Sequence, residues 1–466
     1  MGLADRNFGS EVANSEPMRK LSSLLLLSLV LAANACATPD ESYGDDSRAD
    51  ETANLRDRIG TVFQAEHFRA EVSNAVKSDI ESHPPGSILF WNANNANGAE
   101  LREVIRTYSE AAFEVGAPPI LFSTDYEGGG LRRSHTWSNI PGIQRFTDGF
   151  TPLAHGRWLG KAYRVDADLG RELAFLHGQI MAEELTSVGI NYPLATVSDL
   201  AHGLFSVRGV DRDPAIVADI ITDVLDGAMT EPTITFVTKH FPGLGQTTGD
   251  THDDIVVSTV DTAEEAEEHL GPFRQVVDHM RNSEHAKQLS VLCSHAMFPF
   301  YDTEKNTTIS PVMLQSILRD ELDFGGIALS DAMWMGPYGS YSTANLHRIY
   351  LESFLAGMDM LMIPGGKYRG ARQYFESVFD NSLSDEEKAL WEERLGSSWD
   401  ELHALFIDRL EASVARIDTT TTAIGYAHEA IDEAGVVPSD TTTELRARYY
   451  EILKTVDSRW EAELSE

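Results

Sequence analysis

Short apolar runs recur along this chain, each bounded by turn residues: 59–64 (IGTVFQ), 86–91 (GSILFW), 119–124 (PILFST), 189–197 (GINYPLATV), 233–239 (TITFVTK), 289–295 (LSVLCSH), 325–330 (GGIALS) and 357–363 (GMDMLMI). Their hydrophobicity is continuous rather than alternating, which marks strands covered on both faces, as in a parallel sheet. Between them lie stretches with helical spacing: 99–115, 167–187, 213–229, 262–282, 310–321 and 345–356. Repeated strand–helix alternation predicts an α/β protein, a (β/α)8 TIM barrel, with a doubly wound sheet as the competing arrangement. Residues 384–466 are charged and helical in pattern, without strand signals. The expected organisation is therefore a barrel over 55–383, then its last helix and a C-terminal helical extension over 384–466.

The N-terminus follows different rules. Residues 18–36 run Met-Arg-Lys, an apolar LSSLLLLSLVLAANA, then Cys36. A basic start, a short apolar stretch and small residues before a cut site describe an export signal. Cys36 after small residues is similar to the lipidation site of a bacterial lipoprotein, although Ala33 stands where Leu is usual. Ala33-Asn34-Ala35 also fits an ordinary signal-peptidase site, which would release a free protein. Ala37 after the cysteine implies an outer-membrane or periplasmic lipoprotein. Residues 37–54 read as a flexible acidic tether.

Composition narrows the partners. Lys+Arg 37 against Asp+Glu 73 leave a net charge of −36. Nothing on such a chain would neutralise a phosphate backbone, so no nucleic-acid partner is expected. Attachment to anionic lipid by charge is excluded likewise, leaving a lipid on Cys36 as the membrane contact. The only cysteines, Cys36 and Cys293, build no disulfide scaffold.

In a barrel, chemistry sits at the C-terminal ends of the strands. Polar residues collect after those runs: Asp125-Tyr126-Glu127-Gly128-Gly129 through Arg133, Asp199 and Arg208, Lys239-His240 with Asp250-Thr251-His252 further on, Ser294-His295, and Ser330-Asp331. Carboxylates, cations and imidazoles gathered on one rim favour an enzyme over a structural protein.

The segments DYEGGGLRR, KHFPGLGQTTGDTH, SHAMFP, GGIALSDAMWMG and AGMDMLMIP resemble, in order and over about residues 55–365, the successive signatures of glycoside hydrolase family 3. The likeness is to its single-barrel β-N-acetylglucosaminidases. It implies a retaining exo-β-N-acetylhexosaminidase that releases terminal GlcNAc from peptidoglycan or chitin fragments. By that resemblance Asp331 is the nucleophile, attacking the anomeric carbon to form a glycosyl-enzyme. His252 protonates the leaving oxygen and then deprotonates water, with Asp250 orienting it. Asp125 and Arg133 hold hydroxyls on the far side of the ring, Lys239 and His240 another, and Arg208 approaches the 2-substituent. Cationic neighbours such as Lys239 or Arg208 would keep Asp331 ionised.

Blander readings stand beside these. An Asp after a strand often caps a helix, Arg133 and Arg208 could be surface or ion-paired cations, and His295 reads as a satisfied rim histidine. Asp250, His252, Asp253 and Asp254 could ligate a metal, but no HExxH or cysteine pattern accompanies them, so no metal and no organic cofactor are expected. The chain departs from the family at Leu244, where His is common, and at Gly130, where Arg is common. Tyr126 and Trp334 add bulk beside Asp125 and Asp331. Asp253 and Asp254, if near His252, would raise its pKa. The changes at 126, 130 and 244 leave a β-glucosidase open, and a His that can be neutral repels phosphate less than a carboxylate would, which keeps a glycoside phosphorylase in view. The alternative of another class is a non-catalytic cell-wall-binding lipoprotein.

Overall fold

The computed structural model describes residues 54–67, 71–90, 98–129, 150–247, 249–251, 253–339, 341–431 and 440–463. The export signal, Cys36, most of the tether, Arg133 and His252 lie outside them. Among the described residues are β1 (Phe63–His67), β2 (Ser87–Phe90), β3 (Leu121–Asp125), β4 (Tyr192–Leu194), β5 (Thr196–Val197), β6 (Phe236–Phe241), β7 (Leu289–Cys293), β8 (Ile327–Ser330) and β9 (Leu361–Ile363). Every ladder is parallel. One sheet has the order β4-β3-β2-β1-β9 and the other β5-β6-β7-β8. The predicted α/β class with parallel strands is therefore present, and strand neighbours follow chain order.

The two sheets meet twice. Only Ala195 separates β4 from β5, so the single predicted run 189–197 is one strand interrupted by a residue. At the other end Leu329 bridges Met360 in parallel. There the Ser330 N–H donates to Met360 O at 2.9 Å, and the Met362 N–H donates to Ser330 Oγ at 2.9 Å.

Most predicted elements appear within a few residues, with helices Gly98–Glu114, Ala167–Thr186, Pro214–Ala228, Ala263–Arg281 and Thr343–Ala356. Their starts are encoded locally. Asp166, Asp213, Thr262 and Ser342 each accept a backbone N–H of the first turn, and Pro214 opens its helix. Val312–Glu321 winds as a π-helix, with the Leu322 N–H on Ile317 O.

The first predicted strand moves. Ile59–Val62 is a buried 3₁₀ turn, closed by Thr61 N–H and Thr61 Oγ1–H on Arg58 O, and β1 begins only at Phe63. An apolar run reports burial, and a buried turn satisfies it as well as a strand does. Helices Asn74–Ser82, Gly156–Val165 and Tyr368–Phe379 carry no signal strong enough to be predicted. None of the described helices is long and apolar enough to cross a membrane.

The C-terminal region folds against the sheets rather than apart from them. Trp399–Ile424 opens with a capping box between Ser398 and Glu401. Its Arg416 Nη1 and Ser413 Oγ donate to Asp359 Oδ1 at 2.8 and 3.0 Å. The other oxygen of Asp359, a residue 1 % exposed, takes the Ala328 N–H at 2.8 Å and the Arg319 guanidinium. One carboxylate thus ties β8, the π-helix and the C-terminal region together. Asp359→Ala would leave the Arg319 cation buried without its partner, and should lower unfolding free energy by about 3–5 kcal/mol. Urea denaturation of the variant against the native chain measures this.

Candidate active site

The predicted polar residues do converge at the C-terminal ends of the strands. Asp125 closes β3, Lys239 and His240 lie near the end of β6, and Asp331 follows β8 directly. Lys239 is 2 % exposed, and its ammonium spends its three protons on Asp125 Oδ1 at 3.0 Å, Leu194 O at 2.8 Å and Glu127 Oε1 at 2.5 Å. Arg208 grips the same Glu127 with a two-pronged fork, Nε and Nη2 both at 2.8 Å. Its guanidinium also lies over the Phe205 ring, 4.8 Å from the centroid.

These charges set one another's protonation. Burial alone would raise the Glu127 carboxyl, but Arg208 and Lys239 outweigh it and hold Glu127 well below the usual carboxylate range. Burial would lower Arg208 and Lys239, yet Glu127 carries both above their ordinary values. The cluster stays fully ionised across the physiological range.

His240 is oriented from beneath. Asp199, wholly buried, accepts the His240 backbone N–H at 3.1 Å, the Nδ1–H at 2.7 Å and the Leu244 N–H at 2.5 Å. Arg208 has only donors, so His240 Nε2, 3.4 Å from Nη2, accepts, and the ring proton sits on Nδ1 toward Asp199. Lys239–His240 and Phe241–Pro242 are cis peptides. Leu244 fills an apolar cluster with Val197, Phe205, Val256, Ala296 and Phe298.

Asp331 is held by its backbone. Its N–H donates to Cys293 O at 2.9 Å, and its Oδ1 accepts the Ala332 N–H at 2.8 Å. Beneath it His295, fully buried, contacts Ala332 O through Nε2 at 3.0 Å and Thr308 Oγ1 through Nδ1 at 2.7 Å. Both ring nitrogens are occupied, so His295 is the satisfied structural histidine that the sequence suggests.

The loop after β6 returns to the loop after β8. A methyl group at Gly336 would overlap the backbone of Asp253 and Asp254, so these two stretches are in direct backbone contact. Asp250 anchors its turn by accepting the Asp253 and Asp254 N–H groups on its carbonyl at 3.1 and 3.3 Å. His252, the proposed acid, lies between them in sequence but outside the described residues, as does Arg133. Asp253 and Asp254 are exposed, and their expected influence on His252 is therefore not on view. Among the described residues no group of His, Cys, Asp and Glu is arranged to hold a metal ion.

Sequence reasoning placed Glu127 inside a motif and Asp199 at a strand end without assigning either to the site. Only the fold reveals them as the counter-ion of two cations and the orienter of His240.

Residues 54–389 match the model of the glycosyl hydrolase family 3 N terminal domain. The chain belongs to glycoside hydrolase family 3. Similar curated proteins include β-hexosaminidases from Nitrosomonas eutropha, 29 % identical over 286 residues (60 % of this chain, 74 % of that one), and from Thioalkalivibrio sulfidiphilus, 29 % identical over 333 residues (69 % and 86 %). Among solved structures, a family 3 β-N-acetylglucosaminidase from Paenibacillus sp. str. FPU-7 superposes with a TM-score of 0.67 at 22 % identity, covering 85 % of this chain and 68 % of that one. NagZ from Neisseria gonorrhoeae, in complex with N-trifluoroacetyl-D-glucosamine, gives 0.63 at 20 %, covering 84 % and 97 %.

Glu127→Gln should cost about 3–5 kcal/mol at pH 7, because the buried Lys239 and the half-buried Arg208 lose their shared counter-ion. The native carboxyl is depressed, so its stabilisation is fully present above the unfolded value of about 4.3 and is lost progressively as pH falls below that value toward the much lower folded one. Denaturation of both proteins at neutral pH and again below pH ~4 should show the gap narrowing in acid.

Proposed function

We propose that this protein is a retaining exo-β-N-acetylhexosaminidase acting on GlcNAc-terminated glycans such as peptidoglycan or chitin fragments. The observation that carries the reading is the backbone contact of the Asp250–Asp254 turn with Gly336, five residues beyond Asp331. It brings the loop bearing the acid–base residues to the loop bearing the nucleophile, although they come from different strands. Relatives named β-hexosaminidase support the substrate class.

In this reading the Asp331 carboxylate attacks the anomeric carbon while His252 gives its proton to the departing oxygen. Water then enters, His252 takes its proton, and the glycosyl–Asp331 bond breaks with net retention. Asp250 holds the His252 tautomer and supports the imidazolium. Asp125, with Arg133, Arg208 and His240, frames the sugar through charge-assisted hydrogen bonds, while Lys239 holds Asp125 and Glu127 in place. No metal or organic cofactor takes part in these steps. The hydrogen bonds that link β8 to β9 and the continuity of β4 with β5 support a single closed (β/α)8 ring, with its rim forming the pocket.

Asp331→Ala should lower turnover of an aryl β-GlcNAc by more than ~10³-fold. A 2-fluoro sugar should label Asp331 and no other carboxylate, by peptide mass spectrometry. Labelling elsewhere overturns the role assignment. Turnover of aryl β-glucoside alone indicates the β-glucosidase, and release of a sugar 1-phosphate that depends on phosphate indicates the phosphorylase. No turnover of either glycoside favours the wall-binding lipoprotein.

Export with a lipid on Cys36 is part of the same proposal. The mass of the mature N-terminus should show a diacylglyceryl cysteine. An unmodified residue following Ala35 as the N-terminus instead means that the protein is released free.

A further inference from the structure

The helix Asp440–Glu463 lies beyond the residues that match the family model, and it packs on the helices Gly156–Val165 and Ala167–Thr186. Tyr449, on that helix, is fully buried. Its hydroxyl oxygen accepts the Ala154 N–H at 3.0 Å and lies 3.1 Å from His177 Nδ1. The hydroxyl thus bridges the Ala154 backbone to the His177 ring. Burial pushes His177 down to about 4, so that ring is neutral at neutral pH.

Ala154 and His177 have one neighbour in common. A methyl group at Gly128 would overlap the Ala154 carbonyl oxygen and sit 3.4 Å from His177 Cε1, at a backbone φ of +82° that suits glycine. The next residue is tied to the same stretch, the Gly129 N–H donating to Leu153 O at 2.9 Å. Glu127, whose carboxylate joins Lys239 to Arg208, immediately precedes Gly128. A second tie runs parallel to the first: Arg446, one turn before Tyr449, donates to the buried Glu184 at 2.6 Å, and Glu184 accepts the Thr151 N–H at 2.8 Å.

We propose that Tyr449 is a positioning residue for substrate binding, its hydroxyl holding Ala154 and His177 against Gly128 and so fixing the height at which Asp125 meets the sugar. The inference rests on the hexosaminidase reading above. Tyr449 touches no substrate. It acts through a relay of hydroxyl, backbone and glycine.

The experiment pairs Tyr449→Phe, which removes one oxygen, with Ile452→Ala, which cuts a buried apolar side chain on the same helix. Tyr449→Phe should raise KM for an aryl β-GlcNAc by roughly fivefold to tenfold, the scale of one lost buried hydrogen bond, while kcat stays within about twofold. Amide exchange at Gly129 and Ala154 should speed up in the same variant. Ile452→Ala should lower Tm and leave KM unchanged. Unchanged KM in Tyr449→Phe, or an equal KM rise in Ile452→Ala, overturns the proposal and leaves the helix a brace. Exchange is read without substrate. If the native chain hydrolyses no GlcNAc glycoside, the functional reading fails, while unaltered exchange in Tyr449→Phe still refutes the relay by itself.

Discussion

A buried ammonium with no spare proton organises this active-site rim. Lys239 joins the last residue of β3, the last carbonyl of β4 and Glu127 through one nitrogen, so three neighbouring strand ends are held to a common point. The arrangement is stable because the charges close on themselves: Lys239 and Arg208 are balanced by Asp125 and Glu127. A buried ion that loses its partner is expensive, and mutual satisfaction makes the same four groups a rigid frame. A sugar presents neutral hydroxyls in fixed directions, and a frame of fixed, ion-paired groups suits such a ligand better than mobile side chains would.

The parts of this site legible in the sequence were those whose position follows from chain order. Asp125, Lys239, His240 and Asp331 stand at the ends of apolar runs, and a parallel sheet sends all such ends to one side. Glu127 was hidden because, among glycines, it looks like turn chemistry. Its meaning depends on an arginine 81 residues away. The shift of the first strand had a similar cause, since IGTV is apolar enough to be buried but closes as a turn. Tyr449 was out of reach altogether, for its bond to Ala154 spans 295 residues and no local pattern reports it.

Backbone, more than side chains, brings the distant loops together. Gly128 lets the strand-three loop lie on Ala154, and Gly336 lets the loop after Asp331 lie on Asp253 and Asp254. Asp331 itself is aimed by main-chain bonds to Cys293 and Ala332, with His295 holding the Ala332 carbonyl. Geometry of this kind resists change, because backbone amides have no rotamers to lose.

The charge balance also bears on which nucleophile completes the reaction. Capture of phosphate in place of water needs a locally positive site, since an anion must approach a carboxylate ester beside other carboxylates. Among the described residues Lys239 and Arg208 are neutralised by Asp125 and Glu127, and the whole chain carries −36. A field of that sign lowers the local concentration of anions and leaves water unaffected. Hydrolysis, the chemistry of the family to which the chain belongs, is thus the outcome that its electrostatics favour.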